Sequence, residues 1–407
     1  MDLSLADSYW HDFEAEFKAL AEGLGVGRAD PVAPPLRDLI AGRRVLITGA
    51  GGTIGSALAR QIVDLGPAQL ALLESSELGL VSLSRTLGEA AQSTWCRQYL
   101  VDIRRKERLE QIFQQERPEF VFHAAALKHV DICEQNPEEA ILTNCVGSRH
   151  VADAARRAGA IAAVFASTDK AVNPLGVMGL TKRVSELFWT SARAHSGTRF
   201  LAVRFGNIIG SSGSVAQVFC GQIRRGGPVT VTHPEMRRYF ISCDAAVLLM
   251  LHAALETLKT ADIPEPTIYM LEMGQPIGIL DMARHLIERY SPNAGARLEI
   301  VFTGLRPGEK LSEDLVGANE TLERTGNRRI FRVQRNAHIP HDLAARFDAL
   351  EAFVIAGKAD DALLAMKHLV AEVDAMAARK RTLLKTGEGP AIESTLRPAN
   401  ARYRPPR

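Results

Sequence analysis

A strand, a glycine turn and a helix follow one another between Arg44 and Asp64, and few folds accommodate that succession. The apolar run Arg44–Thr48 leads into Gly49-Ala50-Gly51-Gly52-Thr53-Ile54-Gly55, which opens a helical pattern. Glycines at 49, 52 and 55 permit a tight turn, close passage of the backbone by a pyrophosphate, and close packing of helix on strand. A helix starting near Thr53 aims backbone N–H groups and the positive end of its dipole at phosphate. Alone, the glycine pattern is weak. Its context is stronger, because the next strand (69–73) ends at Glu74, a carboxylate placed to accept from ribose hydroxyls and to repel a 2′-phosphate. Gly49, Gly51, Gly52, Thr53, Ile54, Gly55 and Glu74 therefore predict a dinucleotide site for NAD rather than NADP. Arg85 or Arg97 folding inward would reverse that preference.

The alternation continues with strands at 97–100, 120–123, 162–166 and 199–204 and helical stretches around 104–115, 137–158 and 179–195. This predicts an α/β fold, a Rossmann-type doubly wound parallel sheet with a smaller discontinuous substrate-binding region. The expected division is an N-terminal helical extension over 1–40 and a dinucleotide-binding domain over 41–206, rejoined by about 241–267. The substrate region covers 207–240 and 268–333, C-terminal helices 334–378, and a basic, Pro-rich tail 379–407. Trp10, Phe13, Phe17 and Leu20 line one face of the predicted first helix. Leu343, Phe347, Leu350, Leu363, Leu364 and Leu369 are candidate anchors of the C-terminal helices.

Composition narrows the class. A net charge of +2 without a basic stripe gives no reason to expect nucleic acid as a partner. No apolar run approaches the ~20 residues that span a bilayer, and the acidic N-terminus lacks a signal-peptide pattern. The expected location is cytoplasmic. Cys96, Cys133, Cys145, Cys220 and Cys243 have neither CxxC nor disulfide-framework spacing and read as buried thiols.

Two clusters sit at the carboxyl ends of later strands. In His123-Ala124-Ala125-Ala126-Leu127-Lys128-His129, the small residues allow backbone to approach the nicotinamide-side ribose, and no metal is assigned. Lys128 reads equally as a substrate-phosphate contact or a solvated lysine. Asp102, followed by Ile103 after the third strand, is placed for the adenine amine; an exposed turn aspartate is its alternative. The second cluster is Thr168-Asp169-Lys170, followed by Met178 and Lys182 one helical turn apart. Thr168 can bond a sugar hydroxyl, and Lys182 can bridge ribose hydroxyls with its three donors.

These motifs, with Arg204-Phe205-Gly206-Asn207, Ser211-Ser212-Gly213-Ser214-Val215, Thr232-His233-Pro234-Glu235-Met236 and Gly304-Leu305-Arg306-Pro307-Gly308-Glu309-Lys310, make 43–333 resemble the UDP-N-acetylglucosamine 4,6-dehydratases of capsule and flagellin glycosylation, within the extended short-chain dehydrogenases. In most related enzymes a tyrosine stands at Met178, and a thioether cannot exchange its proton. The methionine form is similar to a membrane branch of the family, of which this chain would be a soluble counterpart.

The resemblance implies bound NAD, a UDP-hexose substrate and a homodimer or higher homo-oligomer. It implies Asp169 as the acid at C6, Lys170 as the base at C5, and Asn207 and Ser214 as holding the uracil-ribose-diphosphate end. Arg238 and Arg306 offer forked donors suited to phosphate oxygens, with a domain-packing ion pair as the alternative for each, and Glu309 is placed to bond a ribose hydroxyl or to fix Arg306. For Lys170 to act as a base it must be neutral part of the time. With Met178 silent, Asp169, directly or through water or Thr168, is the candidate for removing the C4-hydroxyl proton. Arg237 and Ser312-Glu313-Asp314 depart from the family pattern. The competing readings are a nucleotide-sugar 4-epimerase and a catalytically silent NAD-binding scaffold.

Overall fold

The computed structural model describes residues 34–386 except 94, 193–196, 212, 260–266, 291–297 and 336–338, with side chains as far as 377. The expected helix over 1–22 and the tail after 386 lie outside the described residues.

Nine strands form one sheet: β1 (Arg44–Thr48), β2 (Gln69–Glu74), β3 (Cys96–Leu100), β4 (Phe120–His123), β5 (Ala162–Thr168), β6 (Arg199–Phe205), β7 (Ile268–Leu271), β8 (Glu320–Arg324) and β9 (Ile330–Arg335). Their order is β8-β9-β7-β6-β5-β4-β1-β2-β3. The run from β3 to β7 is parallel throughout. Only β9 runs against its neighbours, β7 and β8. The longer helices are α1 (Thr53–Asp64), α2 (Glu77–Leu87), α3 (Lys106–Glu116), α4 (Ser148–Arg157), α5 (Val177–Ser191), α6 (Val215–Arg224), α7 (Cys243–Lys259), α8 (Ile279–Tyr290), α9 (Leu343–Ile355) and α10 (Ala359–Thr386).

Strand alternation explains why helices cover both faces. Val45, Ile47, Phe120, Phe122 and Val164 point one way, into a core shared with α1 and α7. Leu46, Val121, Ala163 and Phe165 point the other way, toward α3, α4, α5, α9 and α10. Each large apolar side chain so buried contributes about 1.5–3 kcal/mol relative to exposure.

The stretch 268–333, expected on the substrate side, is shared between two bodies. β7, four buried residues in a row, pairs with β6, and the β8–β9 hairpin follows it into the main sheet. The smaller region keeps its own core, in which Phe219, Ile223, Val231 and Phe240 meet Met282 and Leu286.

At the C-terminal end, Leu343, Phe347, Leu350 and Leu369 are buried, whereas Leu364 is 52% exposed. Ala362, Met366, Val370 and Val373 carry the buried stripe of α10 instead, because 364 falls on the opposite side of the helical repeat. α10 itself continues through Thr386, past the expected boundary at 378. The cysteines are free, and all but Cys243 are buried. Among the described residues no helix is long and apolar enough to cross a membrane.

Candidate active site

The strand order reverses between β1 and β4, and the glycine turn lies at that point, where open α/β sheets place ligands. Gly49 has φ +66°, and a Cβ there would lie 2.6 Å from the Ala125 backbone. A Cβ on Gly55 would lie 2.0 Å from the Gly49 carbonyl oxygen, and one on Gly51 would lie 2.7 Å from Gly79 Cα. Both passages are shut to any larger residue. Gly52 caps α1 without a side chain, so the helix end faces the turn unobstructed. Glu74 accepts from the backbone N–H groups of Gly51 (2.9 Å), Ser75 (2.9 Å) and Ser76 (3.0 Å), which fixes its carboxylate beside the turn.

A cavity of about 420 Å³ extends from here, lined by Gly49, Gly51, Gly52, Glu74, Asp102, Ile103 and Ala124 to Ala126. Both Asp102 oxygens are held by Arg104, through its backbone N–H (2.9 Å) and its Nε (2.8 Å). Arg97 turns away to pair with Glu116 at 3.0 Å, and neither Arg85 nor Arg97 lines this cavity. Gly147 leaves room for Ile103, which a Cβ would meet at 2.7 Å. His123 lies beneath, between Thr48 Oγ1 (2.6 Å) and Ser148 Oγ (2.8 Å); burial holds it well below its ordinary value, so it belongs to the core. Among the described residues no group of His, Cys, Asp and Glu is placed to hold a metal ion.

A second cavity of about 520 Å³ shares Gly49, Gly52, Ala124 and Ala126 with the first and adds Thr53, Ile54 and Gly55. It brings Thr168, Lys170, Met178 and Lys182 to the same space. Thr168 Oγ1 donates to Asp169 Oδ1 at 2.9 Å. Lys170 Nζ lies 3.0 Å from Asp169 Oδ1, 2.8 Å from Asn207 Oδ1 and 3.7 Å from Glu313 Oε1. Asp169 is 1% exposed, lines neither this cavity nor the next, and leaves its buried Oδ2 without a partner. Lys182 Nζ donates to the Ala166 carbonyl at 2.9 Å and sits 4.6 Å from the Phe165 ring centre. Burial pushes this lysine down to about 8. Met178 forms part of the wall, packed with Cys133, Ala140 and Val177 and backed by Leu363 of α10.

The substrate-side residues divide. Lys128, Asn207, Arg238, Arg306 and Glu309 line a third cavity of about 190 Å³ that also touches Lys170 and Met178. Burial lowers Lys128 from its ordinary value. Arg238 donates to the carbonyls of Arg237 (2.8 Å) and Leu311 (3.1 Å), Arg306 approaches Asp131 at 3.6 Å, and Glu309 accepts from the Arg306 backbone N–H. Ser214 lines the second cavity, where its hydroxyl caps α6 by accepting from Gln217 N.

Three supporting groups were not assigned from the sequence. Asn144 clamps the 124–128 loop, accepting from Leu127 N (2.8 Å) and donating to Leu127 O and Thr181 Oγ1 (both 3.0 Å). Glu186 accepts from Ser167 Oγ (2.6 Å), from Arg204 (2.7 Å) and from Arg335 (2.9 Å), while Arg204 and Arg335 also hold Glu320. Burial alone would raise Glu186, but the surrounding guanidinium groups pull it down to about 2. Glu313 is the third, a carboxylate 7% exposed that lines the third cavity and is raised by burial.

Comparison with known proteins agrees with this architecture. A model of the polysaccharide biosynthesis protein family matches residues 45–335. The chain is 42% identical over 282 residues to the probable polysaccharide biosynthesis protein EpsC of Bacillus subtilis, covering 69% of this chain and 46% of that one. It thus spans about half the length of that relative. A UDP-N-acetylglucosamine 4,6-dehydratase (inverting) of Campylobacter jejuni is 31% identical over 285 residues, with 69% and 79% covered. Proteins named UDP-glucose 4-epimerase match at a comparable 32%. The crystal structure of Pen from Bacillus thuringiensis superposes with a TM-score of 0.66 at 31% identity, over 73% of this chain and 89% of that one. The chain belongs to the polysaccharide biosynthesis protein family, and relatives about 31–32% identical to it bear the names of nucleotide-sugar dehydratases and 4-epimerases.

Proposed function

We propose that the chain is an NAD-dependent nucleotide-sugar 4,6-dehydratase that converts UDP-N-acetylglucosamine, or a close UDP-hexose, to the 4-keto-6-deoxy sugar. The observation that carries this reading is the Thr168–Asp169–Lys170 cluster, which meets the glycine-turn cavity with Met178 where an exchangeable phenol would otherwise stand. The closed passages at Gly49 and Gly55 and the fixed Glu74 carboxylate fit a dinucleotide whose adenosine ribose carries no 2′-phosphate. Gly49, Gly52, Gly55 and Glu74 would hold the dinucleotide, and NAD bound there would supply reversible hydride-acceptor chemistry for the sugar.

The chain's own groups manage the protons. Thr168 hydrogen-bonds the C4 hydroxyl and passes its proton to Asp169 Oδ1, which lies behind it, out of reach of the sugar. Lys170 removes the C5 proton once C4 is a ketone, and Asn207 holds the amine in place. Lys182, which lines the cavity shared with the glycine turn, would offer a cationic group to a bound dinucleotide. Lys128, Arg238 and Arg306 offer donors to the diphosphate. Asn207 therefore serves the reacting end of the sugar. Lys170 favours dehydration over 4-epimerisation, because it provides for loss of the C5 proton.

A single turnover separates the steps. Asp169→Asn is expected to slow C4 oxidation, read as reduced nicotinamide, by about 100-fold or more. Intact C4 oxidation with failure of elimination alone would contradict the Thr168–Asp169 route.

A further inference from the structure

A nucleotide sugar is gripped at its diphosphate and reacts several bonds away, so the groups serving the two ends must keep a fixed register. Here those groups lie far apart in sequence: Arg306, Glu309 and Lys310 on the 304–310 loop, and Thr168 to Lys170 at the end of β5. One side chain joins them, Glu134 on the short helix Val130–Gln135. Its Oε1 accepts from Val177 N, the first N–H of α5, at 2.6 Å. The same oxygen fills the space beside Gly176 and Gly308, since a Cβ on either would lie 2.5 Å from it. A Cβ on Gly176 would also lie 2.8 Å from Gly308 Cα, so the loop and the start of α5 touch backbone to backbone. Three residues on, a Cβ at Gly179 would strike the Lys170 carbonyl oxygen, which seats α5 directly on the turn that carries Lys170.

We propose that Glu134 is a positioning residue, which holds the diphosphate-side loop in register with Lys170. The inference rests on the functional reading above and deepens it. The other ties across this junction are looser. Asp131 approaches Arg306 at 3.6 Å on an exposed rim, where such a pair contributes little. Lys310 Nζ donates to the Val172 carbonyl at 2.8 Å and pairs with Asp314 at 3.2 Å, tethering the loop's far end through a long side chain. The contact at Gly308 is backbone, and its φ of +75° is a conformation that larger residues rarely adopt. Glu134 therefore sets how deep the loop sits and, through Val177, where Met178 stands beside it. Glu134 lines none of the three cavities, so it acts on a substrate only through these neighbours.

Three variants of the full chain with bound NAD test this, with UDP affinity, turnover of UDP-N-acetylglucosamine, NAD content and Tm measured on each. Glu134→Ala loses the acceptor and is expected to lower kcat about 10–100-fold, as a misplacement near ~1 Å does, while UDP affinity and NAD content stay within about threefold of wild type. Glu134→Gln keeps a carbonyl for Val177 N and should hold kcat within about threefold of wild type. Gly308→Ala presses a methyl on the Glu134 oxygen from the other side and should lower kcat as Glu134→Ala does, with UDP still bound. It decides the matter where Glu134→Ala does not fold. A role in stability alone gives a lower Tm with unchanged kcat, and that result would overturn the proposal. Loss of UDP affinity in step with turnover, the mark of a loop that no longer forms, would overturn it too, as would a Glu134→Gln variant as impaired as Glu134→Ala. Wild-type protein that binds no UDP and turns over no UDP-hexose would instead remove the nucleotide-sugar reading, and the proposal with it.

Discussion

Lys182→Met is expected to change how stability depends on pH. Lys182 is 6% exposed, and burial lowers it from 10.5 to about 8 in the nucleotide-free protein. Its folded value thus lies below its unfolded one. Below pH 8 both states hold the proton; between about 8 and 10.5 the unfolded chain holds it and the folded chain does not. Stability must therefore rise with pH across that window, by ~1.4 kcal/mol per pH unit and about 3 kcal/mol in all. At neutral pH the burial penalty is fully present, and removing the ammonium relieves it. Against that relief stand the Ala166 carbonyl left unpaired, about 1–3 kcal/mol, and the lost contact with the Phe165 ring, about 0.5–2 kcal/mol. Those losses do not titrate, so the difference between wild type and variant isolates the charge. Urea denaturation of nucleotide-stripped protein from pH 7 to pH 10 should show wild type gaining about 2–3 kcal/mol on Lys182→Met. Parallel curves would refute the buried, pH-sensitive ammonium.

Two further substitutions test the site's walls. Gly55→Ala places a methyl 2.0 Å from the Gly49 oxygen, so the turn must move; it should cost about 1–3 kcal/mol and strip the purified protein of bound dinucleotide, measured by absorbance after denaturation. Met178→Leu conserves volume in an apolar wall and should cost under about 1.5 kcal/mol, leaving C4 oxidation unchanged in stopped flow; a large loss of chemistry would show that the thioether does more than pack.

The parts legible in the sequence were those built from local signals. The glycine turn, the parallel strands through β6 and the Thr168–Lys182 segment each announce themselves within some twenty residues, because backbone permissiveness and strand alternation are short-range properties. Long-range closure was not legible. Arg204 reads as part of a motif beside Asn207, yet its partner Glu320 arrives from a hairpin more than a hundred residues later. That ion network draws β8 and β9 into the main sheet, a joining that no periodicity in 268–333 announces. Ser312-Glu313-Asp314 stood out only as a departure from the family pattern, and only folding sets Glu313 against Lys170. Asp169 shows the converse: its position beside Thr168 was evident, whereas its burial behind that threonine depends on β5 ending where it does.

The central claim is dehydration at C5 and C6, and it is tested most directly by incubating the protein with UDP-N-acetylglucosamine in deuterated water and identifying the product by NMR. The account predicts a UDP-4-keto-6-deoxy sugar carrying one deuterium at C5. A 4-epimer without deuterium would make the chain an epimerase, and tight sugar-nucleotide binding without turnover would make it a silent scaffold; either result contradicts the account.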